Sequence, residues 1–509
     1  MKDQTLTDCF LNALARSGDK PAITFFRGGK VETELTYREL DQDSNQMANT
    51  LQGKGIGKGD RVILFLPKSL VGVVVHLALY KMGAVGIPLN PGFKRSEVAY
   101  LIQDAGAALV MAGPEQAGIV HEIAPDLPVI TVMTDIPYQD LVFFRDSPAE
   151  QPVDALQPGD PGLIIYTSGT TGNPKGAILT QGNLAHDANN VIRIWEISER
   201  DVLCHALPLF HVHGLCFALH TSLMAGSHIL LLDRFSPPEI TDLLLNKKGK
   251  HVCTIFMAVP PMYVKLTDIV EAKGLDFGHI RLWTSGSAPL LPKDFKRIAK
   301  IFGKEPVERE GMTETGMNFS NPVRGVRKPG SIGLALPDLD VRIVDPHTFQ
   351  DVTSGQEGEI WLKGPAVTPG YWNKPDETDR AFEGGWFRTG DLGKVDEDGY
   401  YYLTDRCKNI IISGGENISP KEVEGVINTL EGVKESSVVG VLDEKWGERV
   451  VTAVVRKAGS AITPDHIRTH CRKKLHDWKC PKDIVFVDEL PRNTMGKVLS
   501  HKVKQLFPK

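Results

Sequence analysis

The sequence has few cysteines and no pattern that would join them. Its 509 residues include seven, at positions 9, 204, 216, 253, 407, 471 and 480. The number is odd and no two cysteines have a C-x-x-C spacing, which argues against a disulfide framework and against a zinc site. Reduced thiols of this kind are typical of a cytoplasmic protein.

Long hydrophobic runs are also missing. The best membrane candidate, residues 70–80 (LVGVVVHLALY), contains His76 and is flanked by Lys68 and Lys81. It is too short to span a bilayer, so it predicts a buried helix instead. The N-terminal segment MKDQTLTDCFLNALARSGDK contains acidic residues and no continuous apolar core, unlike a secretory signal.

No strong excess of one charge is present. Lys plus Arg total 58 and Asp plus Glu total 63, a formal net charge of −5. Bulk charge therefore offers no basis for binding nucleic acid or an anionic membrane. Glycine and proline are plentiful, 49 and 33 residues respectively, and indicate many turns. No internal repeat or low-complexity tract is visible.

Strand-like and helix-like segments alternate through the first two thirds of the chain, which predicts α/β units with parallel sheets. The predicted elements are strands at 61–66, 84–89, 107–113, 228–233 and 253–260, and helices at 69–82 and 96–105. From about Leu336 the pattern changes to short strands with turns. After Asp405 a compact α+β unit follows. We therefore predict an N-terminal domain at 1–405, with α/β subdomains and a β-rich subdomain, and a small C-terminal domain at 406–509.

The most informative segment is LIIYTSGTTGNPKGA at 163–177. An apolar strand leads into hydroxyls and glycines, and Lys175 follows. Glycines allow backbone N–H groups to approach phosphate, hydroxyls add donors, and lysine adds a compact positive charge. The segment is not a Walker A loop, because Pro174 separates Lys175 from the earlier glycines and Gly176 follows it. A switch-type NTPase is therefore disfavoured.

This segment resembles the phosphate-loop motif of the adenylate-forming superfamily, which includes acyl-CoA synthetases. Further motifs match in family order along nearly the whole chain. They are KMGAVGIPLNP (81–91), SGSAPL (285–290), GMTET (311–315), GWFRTGDLG (385–393), DRCKNIIISGGENISPKEVE (405–424) and PRNTMGK (491–497). The resemblance implies an AMP-forming ligase, in which a carboxylate attacks the α-phosphate of ATP and the thiol of CoA then attacks the acyl-adenylate.

The resemblance assigns the ATP and Mg²⁺ sites. It implies that Lys175 holds the phosphates that leave as pyrophosphate, and that Glu314 is the magnesium carboxylate with Thr167 as its partner. Mg²⁺ would neutralise charge that develops on the leaving group. The other implied ATP-binding residues of these motifs are Ser168, Gly169, Thr170, Thr171, Gly172, Ser287, Ala288, Glu310, Gly311, Met312 and Thr313.

Four residues nearer the C-terminus complete the implied chemistry. Asp391 matches the acidic residue that accepts both ribose hydroxyls, and Arg406 matches an arginine that contacts ribose or phosphate. Lys408 matches the hinge on which the small domain turns. Lys497 matches the catalytic lysine that reaches the carboxylate and the α-phosphate, where a cation stabilises the shared charge. The implied CoA-binding residues are Ser413, Gly414, Gly415 and Glu416.

The acyl site is expected near His211, in PLFHVHG, which could orient the carboxylate or gate the thiol. We expect its neighbour His213 to be structural. The candidate wall residues are Trp283, Gly286, Met317, Met257 and Met262. Methionine and aromatic side chains in apolar surroundings are as often plain core, so both interpretations stay open here.

Within the superfamily the sequence most resembles malonyl-CoA synthetases, with two departures. Where those enzymes have an arginine for the second carboxylate, this chain has Lys265. Lysine offers a point charge where arginine offers a planar fork. Lys265 could bind a distal carboxylate, or it could point outward and leave an apolar pocket for a short or medium-chain acid. The second departure is Glu310, at the position where the family has a tyrosine that stacks on adenine.

Two other functions remain in view. A stand-alone adenylating enzyme could load a carrier-protein phosphopantetheine, although the CoA-ligase motifs and the absence of a carrier-domain serine motif argue against it. A catalytically weak nucleotide-binding protein is suggested by Glu310 but disfavoured by Lys175, Glu314, Asp391 and Lys497. The expected partners are therefore small molecules (a carboxylic acid, ATP and CoA), with Mg²⁺, in a monomer or homodimer.

Overall fold

The computed structural model describes residues 4–150, 155–167, 173–413, 416–443, 446–493 and 496–507. The chain divides into two compact units, one formed by Met1–Asp340 with Leu362–Phe387 and the other by Val341–Trp361 with Arg388–Lys509. Each unit is a mixture of helices and sheets. The predicted α/β class with a smaller α+β C-terminal part is confirmed. The predicted domain boundary at 405/406 stays a prediction.

The α-helices are α1 (Leu6–Ser17), α2 (Tyr37–Gly53), α3 (Leu70–Met82), α4 (Arg95–Ala105), α5 (Pro114–Ile123), α6 (Gln181–Ile194), α7 (Thr221–Ala225), α8 (Pro237–Leu245), α9 (Pro260–Val270), α10 (Pro292–Phe302), α11 (Pro375–Ala381), α12 (Pro420–Ile427), α13 (Pro464–Arg472) and α14 (Ser500–Lys504). A π-helical segment, His213–His220, leads into α7.

The strands are β1 (Pro21–Arg27), β2 (Lys30–Thr36), β3 (Arg61–Phe65), β4 (Val85–Pro88), β5 (Leu109–Ala112), β6 (Val129–Thr131), β7 (Pro161–Thr167), β8 (Lys175–Thr180), β9 (Val202–His205), β10 (His228–Leu232), β11 (Ile255–Ala258), β12 (Leu282–Ser285), β13 (Val307–Met312), β14 (Gly316–Ser320), β15 (Leu334–Ala335), β16 (Asp340–Val344), β17 (Gly358–Lys363), β18 (Phe382–Glu383), β19 (Trp386–Val395), β20 (Tyr401–Arg406), β21 (Ile411–Ser413), β22 (Glu416–Ile418), β23 (Val433–Asp443), β24 (Gly447–Arg456) and β25 (Asp483–Val487).

Two large sheets form the framework of the first unit. One has the order β6-β5-β3-β4-β7-β8, and the other has the order β15-β14-β13-β12-β11-β9-β10-β1-β2. Their inner strands pair in parallel, whereas β8, β2, β14 and β15 pair antiparallel at the edges. The inner strands are apolar runs, as expected for parallel strands that are covered on both faces. The alternation of strand and helix patterns therefore predicted these sheets correctly.

The apolar segment at 70–80 lies within α3, and every residue of α3 is buried. Even His76 is covered, and burial lowers the pKa of this imidazole to about 3, so it is neutral at physiological pH. Gly83 ends the helix in the left-handed conformation, φ 71°, which glycine adopts without a Cβ clash. The prediction of a buried helix is confirmed. Among the described residues, no helix has both the length and the hydropathy that a bilayer crossing requires.

The second unit contains two smaller sheets. In one, β16, β17 and β19 are adjacent in that order, and β20 pairs with β19. In the other, β22-β21-β24-β23 are adjacent and β25 pairs in parallel with β24. One face of this second sheet packs against α12 and α13 around Val423 and Ile467, and the opposite face packs around Val503 of α14.

Candidate active site

The motif residues of the first unit follow strand ends. Thr167 is the last residue of β7, and Ser285 and Met312 end β12 and β13. Because β12 and β13 are parallel neighbours, the segments that follow them emerge at the same edge of the nine-stranded sheet. Open α/β sheets bind ligands at the carboxyl edge of their strands. The motifs after β12 and β13 thus lie at one edge of this sheet, whereas Thr167 ends a strand of the six-stranded sheet.

The two predicted magnesium ligands lie next to each other. Thr167 Oγ1 donates to Glu314 Oε1 over 3.3 Å, and the hydroxyl of Tyr371 donates to the same oxygen over 3.1 Å. Glu314 is only 8% exposed. Within the described ranges no group of three or more His, Cys, Asp or Glu side chains could hold a metal. One carboxylate and one hydroxyl suit Mg²⁺, which usually takes one or two protein ligands with substrate phosphates and water.

Lys175 begins β8, paired directly opposite Thr167. Its ammonium forms an ion pair with Glu377 of α11 and lies 5.4 Å from the centroid of the Tyr371 ring. The Lys175 side chain is 19% exposed. The five predicted phosphate-binding residues before it, 168–172, lie outside the described residues. Tyr371 and Glu377 were missed by the sequence reasoning; both lie before the matched GWFRTGDLG motif at 385–393.

The GMTET segment is the turn of the β13–β14 hairpin. A Cβ on Gly311 would stand 2.7 Å from the carbonyl oxygen of Gly316, so only glycine fits this close crossing. Met312 ends β13, and Thr313 follows it in the turn toward Glu314. Glu310, which replaces the expected tyrosine, accepts a hydrogen bond of 3.1 Å from Asn318 Nδ2 across the hairpin.

Two histidines lie where the π-helical segment begins, His211 just before it and His213 as its first residue. His211 is largely buried, burial lowers its pKa to about 4, and its Nε2 has no hydrogen-bond partner among the residues described. His213 Nδ1 lies 3.1 Å from Ser287 Oγ. Ser287 has φ 66°, a strained value for a residue with a side chain, and such strain is common at functional sites. Ala288 follows it. The contact joins His213 to Ser287, one of the predicted ATP-binding residues, and the expectation that His213 is structural stays a prediction.

Arg309 is the most informative residue that the sequence reasoning missed. It is 2% exposed, and in the part of the chain that the structure describes none of its three guanidinium nitrogens has a hydrogen-bond partner. Burial lowers its pKa to about 10, partly offset by the charges of Glu310 and Asp187, so it is still protonated at neutral pH. Its Cζ lies 4.9 Å from the centroid of the Phe217 ring.

Arg309 also lies directly against the predicted acyl site. A Cβ added to Gly286 would stand 2.6 Å from the guanidinium carbon, so the arginine occupies the space that any larger residue at 286 would need. Burial and the charge of Arg309 together hold the pKa of His213 well below its usual range. A buried cation without partners is costly, and such a group normally finds an anion. Gly286, His213 and Arg309 therefore form one cluster.

For two of the predicted acyl-site residues the surroundings favour the other alternative that the sequence left open. Lys265 is exposed on α9, because Met262, Tyr263 and Leu266 form the buried side of that helix. The structure favours the outward alternative for this lysine. Trp283 is 1% exposed and stacks on Phe302 with ring centroids 4.3 Å apart, in an aromatic core. Trp283 is core, not cavity wall, since its side of β12 faces the packed rings.

The predicted wall methionines are all buried. Met317 is 3% exposed, and its backbone N–H donates to Asp187 Oδ1 over 2.8 Å. Met257 is 1% and Met262 is 7% exposed. Of the three predicted wall methionines, Met317 is the one in the β13–β14 hairpin, in the strand that follows the turn with Glu314.

In the second unit, the two residues predicted to bind ribose form a pair. Asp391 and Arg406 are opposite each other in the β19–β20 ladder, and Arg406 Nε lies 2.7 Å from Asp391 Oδ1. Asp391 is 6% exposed, and its backbone N–H donates to Thr389 Oγ1 over 3.0 Å. A carboxylate held in this way presents acceptors in a fixed direction, which suits a vicinal diol.

The remaining predicted residues of the second unit are described only in part. Lys497 is exposed, and its backbone N–H donates to Asn493 Oδ1 over 2.9 Å, which closes the turn before α14. Ser413 is 5% exposed and pairs with Glu416 in the β21–β22 hairpin. Gly414 and Gly415 lie outside the described residues, as do the side chains of Glu416 and Lys408.

Asp405, just before the predicted hinge, is firmly held. It is 1% exposed, and its Oδ2 accepts hydrogen bonds from Ser419 Oγ at 2.6 Å and from the backbone N–H of Lys421 at 3.1 Å. Ser419 is the N-cap of α12. A buried carboxylate at a helix N-terminus is stabilised by the helix dipole. The end of β20 is thereby fixed to the first turn of α12.

Comparisons with known proteins agree with these motifs. The family model "AMP-binding enzyme" matches residues 10–372, and "AMP-binding enzyme C-terminal domain" matches residues 422–497. The mitochondrial malonate–CoA ligase ACSF3 of Mus musculus is 34% identical, over 98% of this chain and 90% of its own. The long-chain-fatty-acid–CoA ligase FadD13 of Mycobacterium tuberculosis is 32% identical, over 97% of both chains.

A solved structure is similarly close. ATP-bound MatB from Rhodopseudomonas palustris is 36% identical, with a TM-score of 0.91 over 99% of both chains. That structure supports the use of ATP by this fold. The two ligases differ in their acid, since one is named for malonate and the other for long-chain fatty acids. Both are CoA ligases. The chain therefore belongs to the AMP-binding enzyme family and is an AMP-forming acid–thiol ligase, an acyl-CoA synthetase.

Proposed function

We propose that this ligase activates a short dicarboxylic acid of the malonate type and that Arg309 binds the carboxylate that is not activated. The observation that carries the proposal is the buried guanidinium of Arg309, which has no hydrogen-bond partner among the described residues and lies against Gly286. Its planar fork can bind one carboxylate with two parallel hydrogen bonds. A purely apolar acid would leave this guanidinium buried without a hydrogen bond from its described surroundings, with only the charges of Glu310 and Asp187 to offset its burial.

The proposal replaces Lys265 with Arg309 as the cation for the second carboxylate. The arginine expected at position 265 is absent, and the lysine there is exposed. Arg309 supplies the chemistry from the neighbouring hairpin. The similarity to the malonate–CoA ligase of Mus musculus and to MatB supports the same acid class. His211 and His213 are neutral, because burial lowers the pKa of both, so Arg309 is the charged member of this cluster.

For the first step, Thr167 and Glu314 are the residues that would hold Mg²⁺. When bound, the ion supplies positive charge to the phosphate oxygens. Lys175 would hold the leaving phosphates, and Asp391 the ribose hydroxyls. We propose that Lys497 places its ammonium near the attacking carboxylate and the α-phosphate, where it stabilises charge that is largest in the transition state.

For the second step, we propose that residues 406–509 move as a domain about Lys408 and that Ser413, Gly414, Gly415 and Glu416 line the path of CoA. The hydrogen bonds from Ser419 and Lys421 to Asp405 cross this proposed hinge, so they would have to break or rearrange when the domain turns. His211 would orient the carboxylate as the thiol arrives. We expect free CoA, not a holo-carrier protein, to be the acceptor.

The test is a measurement of CoA-dependent AMP release with a panel of acids. We expect kcat/KM for malonate or methylmalonate to exceed that for butyrate by about a hundredfold or more, because a site built to bind a polar group rejects an analogue that lacks it. Acetate, succinate, octanoate and benzoate set the limits of size. Preference for octanoate or benzoate, or equal rates for malonate and butyrate, would overturn the proposal. Turnover with a holo-carrier alone would favour the adenylating-enzyme alternative.

A further inference from the structure

We propose that Glu377 competes with the phosphates of ATP for the ammonium of Lys175, and that this competition sets the affinity of the enzyme for ATP. Glu377 is therefore a positioning residue that acts through Lys175. The proposal rests on Lys175 being the phosphate-binding lysine. It does not depend on which acid is activated.

The contact itself is specific. Lys175 Nζ forms an ion pair with Glu377 Oε2, and the side chains are 19% and 25% exposed. The other carboxylate oxygen, Oε1, accepts from Arg380 over 3.0 Å. The hydrogen bond from Lys175 is the main reason that the pKa of Glu377 lies below its usual range. The carboxylate of Glu377 therefore stays ionised, and it is paired with the ammonium of Lys175 when nucleotide is absent.

The segment that carries Glu377 is fixed to the strands of the phosphate loop. The backbone N–H of Trp372 donates to the carbonyl of Gly176 over 2.8 Å. Lys374, the residue before α11, forms an ion pair of 2.5 Å with Asp104. Asp104 in turn accepts a hydrogen bond of 2.8 Å from the hydroxyl of Tyr166 in β7. The backbone segments that carry Glu377 and Lys175 are therefore both held in place. Their contact follows from the fold and does not depend on a chance approach of two long side chains.

ATP binding must disturb this pair. A lysine ammonium is a compact point charge, so phosphate oxygens and a carboxylate compete for the same donors. A carboxylate left beside the phosphates also repels them. Arg380 already contacts the far oxygen of Glu377, and it gives the displaced carboxylate a partner on its own helix. Removing the negative charge of Glu377 should therefore strengthen nucleotide binding.

The experiment compares Glu377→Gln with Asp376→Asn. Asp376 is the exposed acidic residue one position earlier on α11, so both variants lose one negative charge from the same turn. Binding of MgATP without acid is measured by titration calorimetry, together with kcat and KM for ATP. We expect Glu377→Gln to bind ATP about two- to fivefold more tightly, the upper range for a partly exposed ion pair, and Asp376→Asn to change the Kd by less than about twofold. An affinity of Glu377→Gln that is equal to or weaker than that of Asp376→Asn overturns the proposal.

A second pair of variants separates this proposal from the role of Lys175. Lys175→Met should weaken ATP binding, and in that background Glu377→Gln should strengthen binding less than it does with Lys175 present, because only the repulsion remains to be removed. If Lys175→Met binds ATP as the wild type does, then Lys175 is not the phosphate lysine and both ideas fail. If Lys175→Met weakens binding but Glu377→Gln does not strengthen it, only the competition is refuted. The KM for whichever acid the enzyme turns over should stay constant in Glu377→Gln, which a general structural defect would not allow.

Discussion

The substitution Arg309→Met tests how this ligase selects its acid. Methionine is unbranched and apolar, so it fills much of the arginine stem without the charge. Loss of one partner of a buried charge pair costs about 2–5 kcal/mol, which corresponds to a loss of about 30-fold to about 4,000-fold in kcat/KM for malonate. For butyrate the same change removes an unpaired buried charge from the pocket. We therefore expect butyrate turnover to be kept or improved.

The same variant should also be more stable without substrate. The guanidinium of Arg309 is 2% exposed and lacks a hydrogen-bond partner among the described residues. Burial lowers its pKa to about 10, which means that folding disfavours the protonated form present at neutral pH. Replacing a buried charged group with an apolar one is often stabilising. The apparent Tm should therefore rise in Arg309→Met, and malonate should raise the Tm of the wild type but not of the variant.

The assay is CoA-dependent AMP release with malonate and butyrate, run beside thermal unfolding. Arg309→Lys is the matched control, since it keeps the charge but loses the fork, and its malonate activity should lie between the other two. The reasoning is refuted if both acids lose activity equally in Arg309→Met. It is also refuted if the Tm falls while malonate selectivity is kept.

Three further predictions follow from single residues. Lys497→Ala should abolish acid-dependent ATP–pyrophosphate exchange while thioester formation from supplied acyl-adenylate largely survives; equal loss of both steps contradicts that division. Glu310 accepts a hydrogen bond from Asn318, and we expect it to lie beside the adenine of ATP. Glu310→Tyr should then lower the KM for ATP, and an unchanged KM shows that Glu310 does not contact adenine. Glu308 is 5% exposed and burial raises its pKa to about 8, above the value of about 4.3 expected in the unfolded chain. Its ionisation therefore destabilises the fold increasingly as the pH rises from about 4.3 to about 8. Glu308→Gln should have a higher apparent Tm than the wild type at pH 8 and nearly the same Tm at pH 4.5, and a constant difference across this range would contradict the assignment.

Much of the fold could be predicted because its patterns are local. The apolar runs of β3, β4 and β5 and the continuous apolar surface of α3 identify themselves without tertiary information. The ends of elements were less certain. The strand predicted at 253–260 is confined to Ile255–Ala258 in β11, because Pro260 already begins α9.

The site was predicted where a motif places several functional residues close together in sequence. Thr167, Lys175 and Glu314 are in such motifs, and the structure brings them into one cluster with Tyr371. Arg309 could not be found in this way, because its significance comes from its burial. The sequence around it, Val307 to Glu310, contains three charged residues and does not reveal that the arginine is buried. A partial signal was present, since Arg309 lies in β13 shortly before the matched GMTET motif. The interpretation of Lys265 as a carboxylate-binding residue is disfavoured for the opposite reason. Its neighbours in the motif suggested the pocket, but the helical period of α9 turns it toward solvent.

The division of the chain has a practical consequence for recombining enzymes of this class. The second unit is discontinuous in sequence, since it takes residues 341–361 as well as 388–509. A fragment that begins at Arg406 would therefore carry the last residue of β20 and none of β19, its partner in the ladder. Asp391 would be left on one polypeptide and Arg406 on the other. Crossover points for hybrid ligases should keep both residues from the same parent, because the side chains of Asp391 and Arg406 must reach each other across the β19–β20 ladder.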